Sequence, residues 1–114
     1  MLTTHLEMRN DIHLLRLSGS LDSETIGSFK DQISPLVHQP NIRIVLDCQN
    51  LTYVNSKGLA MLGRHQRIAL HNLSFLGIAA LHPRIIKTIA LLGIHSLACL
   101  YPTLDEAIQA AQNL

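Results

Sequence analysis

Short apolar stretches alternate along this chain with longer segments in which apolar residues recur every three or four positions. The short stretches predict β-strands, and the turn-forming pair Asn10-Asp11 joins the first two into a hairpin. We expect strands over residues 2–8, 12–17 and 42–46, within 73–81, and over 97–101. The first of these stretches has the least regular pattern, so we expect it at an edge of the sheet.

The segments with helical spacing predict four α-helices, whose ends are marked by capping residues, prolines and a glycine. The marking residues are Asp22 and Pro35 for the first helix, Ser56 and Asn72 for the second, Pro83 and Gly93 for the third, and Thr103 for the fourth. We expect Pro35 to end or kink the first helix near Ser34. Strands that alternate with helices need crossover connections, which favour parallel pairing. We therefore expect an α/β fold, with a single mixed, mostly parallel β-sheet of four to five strands and about four helices predominantly on one face.

The composition adds bounds on size and partners. A chain of 114 residues has the length of one domain, so we expect residues 1–114 to form a single domain. Its 47% of hydrophobic residues exclude global disorder, and a net charge of +1 without a basic run gives no reason to expect direct nucleic-acid binding. No apolar stretch approaches the roughly 20 residues of a membrane helix, and residues 1–7 lack a charged region followed by an apolar core, so we expect no signal peptide. We expect a cytoplasmic protein without membrane insertion, with Cys48 and Cys99 reduced and buried.

Sequence motifs for catalysis are missing. The chain has no phosphate-binding glycine loop, no Gly-x-Ser-x-Gly elbow and no His-Glu-x-x-His pair. The acids Asp22, Asp47 and Asp105 fall at the ends of predicted elements, where helix capping or loop capping explains them. We therefore predict that the protein is not an enzyme and has no cofactor and no metal site.

The segment from Asp47 to Leu59 is the strongest candidate for a functional site, because it leaves a buried strand and enters a helix. Asn55 and Ser56 are both good helix N-caps. A phosphate on Ser56 would lie near free backbone N–H groups and the positive end of the helix dipole. Gly58 keeps bulk away from the serine and lets another backbone approach. From these residues alone, a purely structural cap is the simpler interpretation of Ser56.

Three motifs of the chain resemble a known family. Gly19-Ser20-Leu21-Asp22 precedes the first helix, residues 45–47 and 51–59 form the strand-to-helix junction, and residues 103–107 open the last helix. In this order they resemble the STAS domain family, and most closely the bacterial anti-sigma factor antagonists, also called anti-anti-sigma factors. The resemblance covers essentially the whole chain, and its middle motif is the most specific.

The resemblance implies a partner-switching function in transcription regulation. The unphosphorylated antagonist binds an anti-sigma factor that is also a serine kinase, and this kinase phosphorylates the signature serine, which matches Ser56. Phosphorylation releases the partner, and a phosphatase resets the antagonist. The implied partner-binding residues are Asp22, Thr52, Tyr53, Val54, Asn55, Ser56, Lys57 and Gly58. We expect residues 51–55 to form a loop within this surface.

Two positions depart from the family motif, and other functions stay open. Asn55 stands where the family has an acid, and Lys57 stands where it commonly has serine or threonine. Both changes alter the charge that a partner kinase would meet beside Ser56. The alternatives are a STAS subunit or regulator of an anion or lipid transport system, a constitutive binding module that is not phosphorylated, and a small enzyme or ligand-binding protein.

Overall fold

A computed structural model describes residues 1–94 and 97–114 of the chain. Over these residues the elements follow the predicted order. The strands are β1 (Leu2–Arg9), β2 (Ile12–Leu21), β3 (Arg43–Val54), β4 (Phe75–Ala79) and β5 (Leu100–Tyr101). The helices are α1 (Ile26–Val37), α2 (Ser56–His71), α3 (Pro83–Leu91) and α4 (Leu104–Gln112).

The strands form one mixed sheet in the order β1-β2-β3-β4-β5. The β1–β2 pair is antiparallel, and the other three pairs are parallel. Asn10 and Asp11 both have positive φ, at 50° and 68°, as a two-residue hairpin turn matched to the twist of its strands requires. The predictions of a mostly parallel sheet and of β1 at its edge are confirmed.

The two faces of the sheet are covered unequally. Helices α1, α2 and α3 pack on one face, where Phe29, Leu62 and Ile89 join a large apolar core. On the opposite face, α4 packs Ala107, Ile108 and Ala111 against a smaller set of strand residues, Ile12, Leu14, Val45 and Ala79. Three helices on one face and one on the other confirm the predicted arrangement.

The start and end of α1 differ from the prediction. The helix begins at Ile26 with Thr25 as its N-cap, four residues after Asp22. The Asp22 carboxylate instead accepts the backbone N–H groups of Glu24 and Thr25, at 2.9 and 3.2 Å, within the preceding turn. At the other end the helix continues through Pro35 to Val37, a residue buried in the core. Of the two effects predicted for Pro35, an end of the helix near Ser34 was therefore wrong.

The second helix has the predicted bounds, but its C-terminal end has a different geometry. Asn72 has φ −95°, and the left-handed residue is Leu73, with φ 58°. The Asn72 side-chain amide donates to the carbonyls of Val37 and Ile68, at 3.1 and 3.0 Å, which ties the end of α2 to α1. Leu70, near this end of α2, is 72% exposed.

The last strand is shorter than predicted, and one of the two cysteines predicted to be buried is exposed. The N–H of Ala98 donates to the Gln66 side chain at 3.0 Å, and Cys99 adopts φ 52°, so extended pairing begins only at Leu100. Cys99 is exposed, which contradicts its predicted burial. Cys48 is buried as predicted, and burial, followed by the nearby Asp47 carboxylate, raises the pKa of its thiol. Of the two thiols, only Cys99 meets solvent.

Candidate functional site

The strand β3 runs through the segment predicted as a loop. Its register against β2 shifts between the pairs Arg16–Asp47 and Ser18–Asn50, and again between Gly19–Leu51 and Ser20–Tyr53. Each shift is a β-bulge that inserts one extra residue into β3. The loop prediction for residues 51–55 was therefore wrong up to Val54.

The bulges decide which side chains of β3 face the core. Cys48, Leu51 and Val54 all pack into the same core, although they are spaced by three and a regular strand alternates with a period of two. Thr52 and Tyr53 lie between these anchors and are exposed. This half of the strand therefore exposes polar and aromatic side chains, while its buried side chains hold the backbone against the core.

The start of α2 follows directly and is capped by Asn55. The Asn55 Oδ1 accepts the backbone N–H of Gly58 at 2.9 Å. Ser56 is therefore the first residue of the helix rather than its cap, and it is exposed. Among the described residues, no side-chain hydrogen bond engages the Ser56 hydroxyl, and the N–H groups of Ser56 and Lys57 have no acceptor. A free hydroxyl thus lies beside two free donors.

The turn that carries Asp22 lies against this junction. The Asn55 backbone N–H donates to the carbonyl of Leu21 at 3.1 Å, and its side-chain amide donates to the Ser23 hydroxyl at 3.4 Å. The Thr25 hydroxyl contacts the Asp22 carboxylate at 3.3 Å, which helps to hold that carboxylate in its turn. The structure therefore brings Asp22 and Ser56 to the same end of the sheet.

Gly58 is required by a close approach between α2 and β2. It is buried, and a Cβ atom at this position would lie 2.8 Å from both the Leu21 carbonyl oxygen and the Val54 Cγ1. The prediction that Gly58 lets another backbone approach is confirmed. This contact fixes the first turn of α2, and hence Ser56, relative to Asp22.

A groove of about 590 Å³ separates the β3–α2 junction from α3. One wall carries the predicted residues Thr52, Tyr53, Val54, Asn55 and Ser56, with Leu59 below them. The opposite wall consists of residues that the sequence analysis did not single out, namely Arg84, Ile85 and Thr88 of α3 and its C-cap Leu92. Their helical spacing predicts a shared face, but only the packing shows that this face lies opposite Ser56.

The groove has an apolar floor and positive charge at its rim. Val54, Leu59 and Ile85 are buried, and none of the described residues that line the groove carries a carboxylate. The ion pairs of the described residues join Glu7, Arg9, Arg16 and Asp47 on the sheet, so neither Lys57 nor Arg84 has a carboxylate partner among those residues. The site therefore favours anionic or neutral groups over cationic ones.

The buried acid Asp47 is structural. Its carboxylate lies 3.5 Å from the Arg16 guanidinium and accepts the N–H of Gln49 at 3.1 Å, next to the first bulge of β3. The sequence-based interpretation of Asp47 as a capping residue agrees with this geometry. Within residues 1–94 and 97–114, no cluster of three or more potential metal ligands occurs, and no helix is long and apolar enough to cross a membrane.

Comparisons with known proteins converge on one fold. A family model described as "Mlab, STAS domain" matches residues 5–102. An anti-sigma factor antagonist from Mycobacterium paratuberculosis is 26% identical, with a TM-score of 0.84 over 98% of this chain and 95% of that one. The antagonist SpoIIAA of Bacillus, in its unphosphorylated form, is 18% identical, with a TM-score of 0.74 over 98% of each chain. The murine anion transporter Slc26a9 is 14% identical, with a TM-score of 0.79 over 95% of this chain but only 19% of the transporter.

Proposed function

Because the chain belongs to the STAS domain family, we propose that it is an anti-sigma factor antagonist that acts in the cytoplasm as a non-catalytic interaction module. In this proposal it binds an anti-sigma factor with serine kinase activity while Ser56 is unphosphorylated, and phosphorylation of Ser56 releases that partner. A phosphatase then restores the binding form. The similarity to the mycobacterial antagonist over nearly the full length of both chains supports this choice within the family.

The observation that carries the proposal is the exposed Ser56 at the first position of α2, with free N–H donors beside it. A phosphoryl group there would be stabilised by these donors and by the helix dipole. It would also add about two negative charges to a surface that binds its partner as a neutral hydroxyl. The same modification can therefore leave the fold intact and oppose partner binding.

The proposed partner surface combines the predicted residues of this end of the molecule. It consists of Asp22, Thr52, Tyr53, Val54, Asn55, Ser56, Lys57 and Gly58. Gly58 and Val54 are buried, so we assign them the positioning of the surface rather than direct contact. Tyr53, Ser56 and Lys57 are exposed and are the proposed direct contacts.

The phosphoryl donor in this proposal is the ATP bound by the partner kinase. The Ser56 Oγ forms a bond to the γ-phosphorus, the bond between that phosphorus and the ADP oxygen breaks, and the hydroxyl proton passes to a base of the partner. The antagonist itself contributes a positioned nucleophile and needs no nucleotide site, in keeping with a chain that has no phosphate-binding loop motif.

The test uses wild-type protein and the variants Ser56→Ala and Ser56→Asp as baits in extracts of the native cell, with bound proteins identified by mass spectrometry. We expect wild type and Ser56→Ala to retain an ATP-binding serine kinase and Ser56→Asp to lose it. Gln109→Glu on α4 is the charge control, because this exposed residue lies on the other face of the sheet. Purified partner with ATP should then phosphorylate wild type and leave Ser56→Ala unmodified.

Equal retention by Ser56→Asp and wild type, together with no phosphorylation by the retained kinase, would contradict the switch. A constitutive binding module would give this result. All variants should unfold at similar denaturant concentrations, since aspartate at a helix N-terminus is stabilising and Ser56 is not the N-cap. A large loss of stability in Ser56→Asp would mean that loss of binding reflects unfolding.

A second candidate function is a subunit or regulator of an anion or lipid transport system. It is favoured by the fold shared with a segment of the anion transporter Slc26a9. The same bait experiment separates the two functions. Retention of a transporter component, with Ser56→Asp bound as well as wild type, would support the transport function and contradict the antagonist function.

A further inference from the structure

We propose that Arg84, in the first turn of α3, binds the phosphoryl group of phosphorylated Ser56 and makes α3 the second wall of a phosphoserine site. The inference rests on the proposed function, because it assumes that Ser56 is the modified residue. It goes beyond that function by assigning the receiving cation to an element that no motif of the sequence singles out.

Arg84 holds a fixed position on the groove. Pro83 starts α3, and the Arg84 backbone N–H donates to the His82 Nδ1 at 3.0 Å, which caps the helix. One turn later, the Thr88 hydroxyl donates to the Arg84 carbonyl at 3.0 Å. The backbone of Arg84 is therefore secured on both sides, while its long side chain is exposed and lines the groove together with Ser56.

The charge of Arg84 is available to a ligand. Among the described residues, no carboxylate lies within ion-pair distance of its guanidinium, and no acid lines the groove. A guanidinium presents two parallel N–H donors, the geometry that a phosphoryl group accepts. With the free N–H groups of Ser56 and Lys57, a phosphate on Ser56 would meet donors from two helices.

A bridge between phosphorylated Ser56 and Arg84 would also close the groove. Val54, Leu59 and Ile85 form its floor, and the two bridging residues stand on opposite walls above them. A partner side chain that enters the groove when Ser56 is a free hydroxyl would be excluded by the bridge. Phosphorylation would then release the partner by covering its contact surface as well as by adding charge.

The test installs phosphoserine at position 56 during protein synthesis, by genetic encoding, so that no kinase is needed. Wild type, Arg84→Gln and Lys87→Gln are compared. Lys87 is the matched control, because it is an exposed cation on the same helix that does not line the groove. The readout is the second pKa of the phosphoserine, measured by ³¹P NMR titration at low salt.

We expect Arg84→Gln to raise the phosphoserine pKa by about 0.5, as removal of one nearby cation at an exposed site implies, and Lys87→Gln to raise it by a fraction of that. Unphosphorylated Arg84→Gln should unfold at the same denaturant concentration as wild type, because no ion pair is lost. Equal phosphoserine pKa values in wild type and Arg84→Gln, or equal increases in the two variants, would overturn the proposal. The titration needs no partner, so it tests Arg84 independently of the antagonist function. That function would instead be contradicted if phosphoserine at position 56 left partner binding unchanged.

Discussion

The first half of β3, residues 43–48, pairs with both β2 and β4 as far as Asp47, whereas the second half, residues 49–54, has only β2 as a paired neighbour. In the first half, Ile44, Leu46 and Cys48 face one core, and Val45 faces the other. In the second half, two exposed residues alternate with one buried anchor. The same strand thus begins with two paired neighbours at the centre of the sheet and ends with mostly exposed side chains.

The difference separates the part of β3 that supports the core from the part that belongs to the proposed partner surface. The first half derives its position from contacts on both faces, so its side chains have little freedom to vary. The second half needs only Leu51 and Val54 as anchors, because the bulges turn the residues between them outward. Changes in the first half should therefore alter the free energy of unfolding, and changes in the second half should alter partner binding.

The largest expected effect comes from Leu46→Ala in the first half. Leu46 is fully buried in the core that α1, α2 and α3 share, and the cavity left by its truncation should cost about 2–5 kcal/mol of unfolding free energy. Urea denaturation measures this loss. Gln49→Ala, three positions later and exposed, is the control and should change stability by less than about 0.5 kcal/mol. Similar losses in both variants would remove the distinction between the two halves.

A smaller effect is expected from Asn55→Ala, just after the second half. The variant loses the bond from the Gly58 N–H and the bond to Ser23, so we expect a loss of about 1 kcal/mol. Asn55→Asp keeps a capping oxygen, restores the acid of the family motif, and should unfold like wild type. Hydrogen exchange of the first-turn amides of α2 should rise in Asn55→Ala alone. Unchanged exchange would show that the cap does not fix the start of α2.

The sequence predicts the parts of the site that depend on local signals. Asn and Ser are preferred at helix starts, and α2 begins where Asn55 and Ser56 indicate. The second half of β3 was not predicted as a strand, because its bulges give the successive buried residues Cys48, Leu51 and Val54 a spacing of three. That spacing matches neither the period of a strand nor the repeat of a helix. The pairing with β2 that creates the bulges is a contact between distant parts of the chain.

The same reason explains why α3 was not recognised as a wall of the site and why Cys99 was misplaced. Arg84 faces Ser56 only because α3 crosses beside the β3–α2 junction, which no local pattern encodes. Before Cys99, the Ala98 N–H bonds to a side chain from α2 instead of a neighbouring strand. Helix orientation and loop anchoring are set by tertiary contacts, so they become visible only in the folded chain.

The smallest effect on stability, and the sharpest test of the comparison, is expected from Tyr53→Ala. Tyr53 is 54% exposed at the second bulge, so its truncation should change the unfolding free energy by less than about 0.5 kcal/mol. An exposed tyrosine at the centre of an interface commonly contributes 1–2 kcal/mol or more, so partner affinity should fall about tenfold. Leu70→Ala is the matched control, because Leu70 is a large exposed apolar residue at the opposite end of α2. Titration calorimetry with the purified partner should show weaker binding for Tyr53→Ala alone. Equal weakening by both variants would place the partner along the whole of α2. The helix, rather than the second half of β3, would then form the main contact surface.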